Sequence, residues 1–99
     1  MIVEILPRAR HRIKVVATWW RENRADAPTL FDDELSDLIE RLKVHPVLGT
    51  IHEIVDGVTI LKVRLRKAEQ NVYYSVDEAR GVISIHTVWG ARRGRKPKL

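Results

Sequence analysis

The residues in this sequence best suited to chemistry are cations on one predicted strand. Lys62, Arg64 and Arg66 alternate with apolar residues, and successive side chains of a strand point to opposite faces, so the three cations share one face. Their spacing of about 7 Å is close to that of successive phosphates in a nucleic acid. Lys67 follows without an intervening carboxylate. The pattern favours a polyanion-binding strand; the alternative is a solvent-facing strand protected from aggregation by its long side chains.

A second group of cations accounts for the net charge of +5. Residues 1–90 carry as many acidic as basic side chains, and the whole excess lies in residues 91–99. Gly94 and Pro97 disfavour a long helix or strand there. We therefore predict one folded domain over residues 1–90 and a basic C-terminal tail over residues 91–99, which either contacts a phosphate or carboxylate or only aids solubility. The cations of the tail are Arg92, Arg93, Arg95, Lys96 and Lys98.

Other catalytic chemistries have little support. The chain has no Cys, which excludes thiolate metal sites and cysteine nucleophiles. Its four histidines stand at no metal-ligand spacing, and it has neither a Walker loop nor a Gly-x-Ser-x-Gly motif. The sequence thus predicts no metal and no cofactor. Strict alternation places His86 with Ser84 and Val88 on one face of the last strand, where a satisfied sheet histidine is a simpler interpretation than a catalytic base.

The cations are positioned by a predicted α+β fold. Apolar residues at helical spacing indicate two helices, separated by about two to four residues, and alternation indicates the strands. We expect a helical hairpin on one face of a single, mostly antiparallel sheet that ends in a meander, with the cations on the other face. The predicted elements are a strand in Ile2–Leu6, a helix in Arg8–Asn23, a helix from an Asp26 N-cap to His45, and strands in Thr50–Val55, Val58–Arg66, Asn71–Val76 and Val82–Trp89.

Two pairs of adjacent aromatic residues are divided between core and surface. Strand alternation places Tyr74 in the core and Tyr73 on the cationic face, where it could stack on a base or on a partner side chain. Trp20 completes the apolar stripe of the first helix. Trp19 is then either peripheral core or an exposed anchor for a partner. No apolar run is long enough to span a bilayer and residues 1–20 show no leader pattern, so we expect a cytoplasmic protein.

Three short motifs follow one another along this order of elements. They are His45-Pro-x-x-Gly49 after the second helix, Asn71-Val-Tyr-Tyr-Ser-Val76 in the penultimate strand, and Val88-Trp-Gly-Ala-Arg-Arg-Gly-Arg-Lys-Pro-Lys-Leu99. Together with the strand–helix–helix–meander order, they resemble the RelE/ParE family of toxins from bacterial type II toxin–antitoxin systems over nearly the whole chain. The resemblance implies a growth-arresting cytoplasmic toxin of the kind that stabilises plasmids. It also implies neutralisation in a hetero-oligomer by a small DNA-binding antitoxin encoded beside it.

Members that resemble RelE are ribosome-dependent mRNA endoribonucleases, or mRNA interferases. Their catalytic cations are matched here by Lys62, Arg64, Arg66 and Arg92. The remainder of the pattern departs from the family, because Asn71 replaces a second arginine, Gly90 stands where a histidine is common, and no Tyr or His follows His86. Cleavage of RNA also needs a group that takes the 2′-OH proton, and this group is missing from the matched positions.

Members that resemble ParE generally lack that catalytic set and poison DNA gyrase. The resemblance therefore favours a non-enzymatic gyrase inhibitor, with the RelE-like endoribonuclease as the alternative. A degenerate, non-toxic module that keeps only its antitoxin contact is a further alternative. The residues expected to contact the target or the antitoxin are Trp19, Lys62, Arg64, Arg66, Lys67, Tyr73, Arg92, Arg93 and Arg95.

Overall fold

Seven elements make up the computed structural model, which describes residues 1–99. They are β1 (Ile2–Ile5), α1 (Pro7–Asn23), α2 (Leu30–Val44), β2 (Thr50–Val55), β3 (Val58–Leu65), β4 (Gln70–Asp77) and β5 (Val82–Gly90). The strands form one sheet in the order β1-β5-β4-β3-β2, in which β2 to β5 are an antiparallel meander and β1 pairs with β5 in parallel. The predicted α+β class and order of elements are confirmed. Neither helix is long and apolar enough to cross a membrane.

The two helices cover one face of the sheet, which we call the inner face. Pro7 occupies the first turn of α1, where its missing N–H costs nothing. Phe31 and Leu42 of α2 are fully buried in the same core cluster as Ile83 and Ile85 of β5. The opposite face of the sheet, the outer face, carries no helix.

The second helix begins later than the sequence predicts. Asp26 is not its N-cap, because the Ala27 N–H donates to the Arg24 carbonyl and the Leu30 N–H donates to the Ala27 carbonyl, which holds residues 24–29 in turns. Thr29 occupies the N-cap position instead. The helices are therefore joined by six residues, 24–29, rather than by two to four.

Tyr74 fixes the segment between α2 and β2. Its side chain is fully buried on the inner face, as predicted, and its hydroxyl accepts a hydrogen bond of 2.8 Å from the Gly49 N–H. A Cβ at position 49 would lie 2.6 Å from the Lys62 carbonyl oxygen and 3.0 Å from the Tyr74 hydroxyl. The close approach of this segment to the sheet therefore requires glycine at position 49.

A bulge in β5 overturns the alternation expected for its second half. Tyr73 pairs with Thr87 whereas Tyr74 pairs with Ile85, so His86 is an extra residue in the ladder. Val88 consequently joins the inner-face core, and Thr87 lies opposite Tyr73 on the outer face. The prediction that His86 and Val88 share a face is wrong because one inserted residue shifts the side-chain period.

Candidate functional site

The predicted row of cations lies on the outer face. Lys62 pairs across the ladder with Tyr73, and Arg64 pairs with Asn71. Arg64 and Arg66 are exposed, Lys62 is half-buried, and none of the three takes part in an ion pair of the structure. These unpaired charges are available to an anionic partner.

Lys67 lies beyond the end of β3, between this row and the helices. The backbone N–H groups of Lys67 and Ala68 donate to the Glu34 carboxylate of α2, at 3.1 and 2.8 Å. This capping contact turns the chain toward the helices, and the Lys67 side chain lines cavities beside α1 and α2. Lys67 thus shares the cavity beside α2 with Arg64, and it also lines the cavity beside α1, which neither Arg64 nor Arg66 reaches.

The basic tail is packed against the outer face. Trp89 Nε1 donates to the Arg95 carbonyl at 2.9 Å, Lys96 Nζ lies 3.6 Å from a Glu53 carboxylate oxygen on β2, and Pro97 is buried. Because β5 and β2 are separated by β4 and β3, the tail crosses the sheet between these contacts. The outer face is therefore divided into a cationic part and a part covered by the tail.

Three residues that point away from the helices are nevertheless buried. Ile60, Tyr73 and Thr87 are at most 3% exposed, although Tyr73 and Thr87 face each other across the ladder on the outer side. Ile60 lies opposite Glu53, the residue that Lys96 reaches. Buried side chains thus also lie on the outer face, where the sequence predicts a uniformly basic surface.

Tyr73 lies on the cationic side of the sheet, as strand alternation predicts, but it offers no free ring face. Its ring meets the His52 ring edge to face, with centroids 4.8 Å apart. Burial raises the pKa of the Tyr73 phenol; the hydrogen bond to Asn71 opposes the shift and the charge of Glu53 adds to it. A buried phenol that stays protonated can neither stack on a base nor accept a proton.

The His86 side chain is hydrogen-bonded to the neighbouring strand β4. Its Nε2 atom lies 2.7 Å from the Ser75 hydroxyl. Burial, and secondly the positive charge of Arg8, lower the pKa of His86 below its ordinary value of 6.5. The imidazole is therefore neutral at neutral pH in the folded protein.

The lowered pKa of His86 predicts a loss of stability in mild acid. The unfolded chain binds a proton at this histidine more readily than the folded chain, so stability present above pH 6.5 is lost as the pH falls toward the lowered value. Urea unfolding between pH 7.5 and 5.5 should show this decline, and a His86→Gln variant should show less of it. An equal decline in the variant would assign the effect to other groups.

A groove of about 870 Å³ lies between α1 and the turn that joins β3 to β4, beside the end of β5. It brings together four residues that the sequence predicts as contacts: Trp19, Lys67, Arg92 and Arg93. Trp19 is 48% exposed and packs edge to face on Trp20. Arg92 is not free, because its guanidinium lies 2.8 Å from the Glu69 carboxylate.

Sequence reasoning missed Arg12 as a groove residue. Arg12, Val15 and Trp19 stand at i, i+3 and i+7 on α1, a second stripe beside the buried one, and this spacing is the signal that could have found it. The Arg12 guanidinium lies 5.4 Å from the ring centroid of Trp89, and the Arg93 guanidinium lies 4.1 Å from the same centroid. The Arg95 guanidinium also lies 5.7 Å from this centroid, but it does not line the groove. The helix and the tail thus supply one cation each to this end of the groove.

Comparison with known proteins identifies the fold. No model of a protein family and no curated protein matches this chain. Among solved structures, the chain is similar to the crystal structure of the isolated E. coli RelE toxin, with a TM-score of 0.61 and 17% sequence identity over 94% of this chain and 86% of that chain. The strand, two helices and antiparallel strands therefore form a RelE-like fold, as the resemblance in sequence motifs implies.

Proposed function

We propose that this chain is the toxin of a type II toxin–antitoxin module. The observation that carries the proposal is the RelE-like fold with Arg64 and Arg66 exposed and unpaired on its outer face. In this proposal a cytoplasmic antitoxin, a small DNA-binding protein encoded beside the toxin, holds it in a hetero-oligomer. Growth arrest on induced expression, relieved by coexpression of the adjacent reading frame, is the expected result.

Inhibition of DNA gyrase is the proposed mode of action. Hydrolysis of RNA would require an exposed proton acceptor beside the cations, and neither Tyr73 nor His86 is suited to that role. The Tyr73 phenol is buried and its pKa is raised, and the His86 imidazole is hydrogen-bonded to the Ser75 hydroxyl. Because the Tyr73 and His86 side chains are both engaged within the sheet, the cations support binding and poisoning of a target rather than cleavage by this chain.

Gyrase assays test this mode of action. Purified protein at micromolar concentration should inhibit supercoiling and should stabilise the complex in which gyrase has cleaved its DNA. The same protein mixed with its antitoxin provides the control, because a neutralised toxin should leave both reactions unchanged. The absence of a stabilised cleavage complex would count against gyrase as the target.

The second candidate is ribosome-dependent cleavage of mRNA. The similarity to RelE and the position of Arg92 directly after β5 favour it, and its cations would be Lys62, Arg64, Arg66 and Arg92. Toeprinting of programmed ribosomes would show new mRNA ends in the presence of the protein. Cleavage that disappears in Arg92→Ala would establish this activity in place of gyrase inhibition.

A non-toxic binding module is the third candidate. In that case induced expression would leave growth unchanged while the protein still bound the product of the adjacent reading frame. Growth and binding should be measured side by side. A non-toxic binding module would bind without arresting growth, whereas a chain that has no antitoxin and no toxicity would do neither.

Trp19 is expected to anchor the antitoxin rather than the fold. Because its side chain is 48% exposed and packs edge to face on Trp20, we expect Trp19→Ala to lower the free energy of unfolding by about 1 kcal/mol while weakening antitoxin binding at least about tenfold. Thermal unfolding and titration calorimetry measure the two effects. Trp20→Ala is the matched control: Trp20 is 7% exposed, so its replacement should lower the melting temperature. An equal loss of stability in Trp19→Ala would make Trp19 a core residue.

A further inference from the structure

We infer that Arg12 and Arg93, held together beside Trp89, form a binding site for a phosphate group at one end of the groove along α1. The site is distinct from the outer-face row of Arg64 and Arg66. The inference rests on the geometry and the charges around Trp89 and does not depend on the proposed function.

The two guanidinium groups come from different parts of the fold. Arg12 extends from α1, Arg93 extends from the tail, and both lie against the indole of Trp89, at 5.4 and 4.1 Å from its centroid. The indole is itself fixed, because its Nε1 donates to the Arg95 carbonyl. Attraction of each cation to the ring holds it near the other in spite of their like charge. The site is therefore organised before any ligand arrives.

The positive charge at this site is not balanced within the protein. Neither Arg12 nor Arg93 takes part in an ion pair, and Glu69, which also lines the groove, is already bound by Arg92. The Nε atom of Arg12 is buried and has no hydrogen-bond acceptor. Buried polar groups are nearly always hydrogen-bonded in native proteins, so the Arg12 guanidinium is short of one acceptor, and the exposed guanidinium of Arg93 beside it is open to an anion.

The electrostatics of Arg12 agree with this geometry. Burial, and secondly the positive charge of Arg93, lower its pKa, which shows that the charged form lacks compensation. An arginine nonetheless remains protonated at neutral pH. A bound anion would offset the repulsion between Arg12 and Arg93 and would supply a partner for the partly buried charge of Arg12.

Phosphate suits the site better than carboxylate. A carboxylate carries one negative charge and accepts hydrogen bonds in one plane, whereas a phosphate monoester carries nearly two charges and accepts in several directions. Two cations that approach from a helix and from a tail match the tetrahedral acceptor. Guanidinium groups also bind phosphate oxygens in bidentate fashion. The adjoining groove of about 870 Å³, which Lys67 and Arg92 also line, leaves room for the remainder of a phosphorylated ligand.

A nuclear magnetic resonance titration of the whole chain with inorganic phosphate, at constant ionic strength, tests the site. The N–H signals of Arg12 Nε and Trp89 Nε1 should shift in a saturable manner. Arg12→Met should weaken phosphate binding at least about tenfold, because one of two charge-assisted contacts is removed. Arg80→Met is the matched control, since Arg80 is an exposed arginine beside Asp77, and it should bind phosphate as the original chain does. Arg93→Met alters an exposed side chain and provides a second test should Arg12→Met fail to fold.

Two further probes identify the source of the phosphate. Tighter binding of a 5′-phosphorylated tetrauridine than of inorganic phosphate would indicate a nucleotide ligand, and equal affinities would indicate free phosphate. The inference is overturned if no signal saturates, if both methionine variants bind like the original chain, or if a short glutamate peptide binds as tightly as the phosphate probes. The last result would assign the site to an acidic protein segment.

Discussion

Reversing two charges on the outer face, Arg64→Glu with Arg66→Glu, is expected to abolish growth arrest. Both side chains are exposed and unpaired, so their replacement leaves the core intact. If the target surface is anionic, each reversal turns an attraction into a repulsion, which costs several kcal/mol where the charges meet. The affinity for the target should therefore fall by at least about 100-fold.

Survival of cells after induction measures this effect, with immunoblotting to show equal protein levels. Reversal of Arg80, an exposed cation outside the cationic row, is the matched control and should leave growth arrest unchanged. Thermal unfolding of the purified double variant should match that of the original chain. Full toxicity in the double variant would show that Arg64 and Arg66 do not contact the target.

Replacing Gly49 with alanine is expected to lower the free energy of unfolding by about 3 kcal/mol. The new Cβ would meet the Lys62 carbonyl oxygen at 2.6 Å, and this oxygen belongs to the backbone of a central part of the sheet and cannot turn aside. The segment must then move away from β3 and β4. That movement also breaks the hydrogen bond between the Gly49 N–H and the Tyr74 hydroxyl, and leaves a buried hydroxyl without its partner.

Urea unfolding of both proteins measures the loss. Gly94→Ala is the control, because a Cβ at position 94 meets nothing within 4 Å, and its free energy of unfolding should stay within about 0.5 kcal/mol of the original. A Gly49→Ala variant as stable as the control would show that the segment from α2 to β2 adjusts without cost. Tyr74→Phe removes only the hydroxyl, so its loss of stability measures the Gly49–Tyr74 hydrogen bond separately from the steric contact of the new Cβ.

Local periodicity predicted the elements well because most of them obey it without interruption. The alternation through β3 placed Lys62 and Arg64 on one face and Leu61 and Leu65 on the other, and the structure agrees. The Asp56-Gly57 pair also forms the turn expected between β2 and β3, with both residues at positive φ.

The features that the sequence did not predict depend on contacts between distant residues. The extra residue at His86 becomes visible only when β5 is aligned with β4, since the sequence of β5 alone permits unbroken alternation. The position of the tail depends on Glu53 and on the indole of Trp89, which no local pattern connects to Lys96 or Arg95. Composition identified these cations but not their surroundings, and so the division of the outer face remained hidden.

The parallel pairing of β1 with β5 has a consequence for how the chain acquires its structure. The Ser84 hydroxyl donates to the Glu4 carboxylate, 80 residues away, and Ile2 to Ile5 pair with Val82 to Ile85. A contact between such distant positions carries a large loop-closure cost and slows folding. During synthesis β1 has no neighbour in the sheet until β5 has been made. The nascent chain therefore lacks the completed sheet on which the cationic surface is arranged, and only the finished polypeptide acquires it.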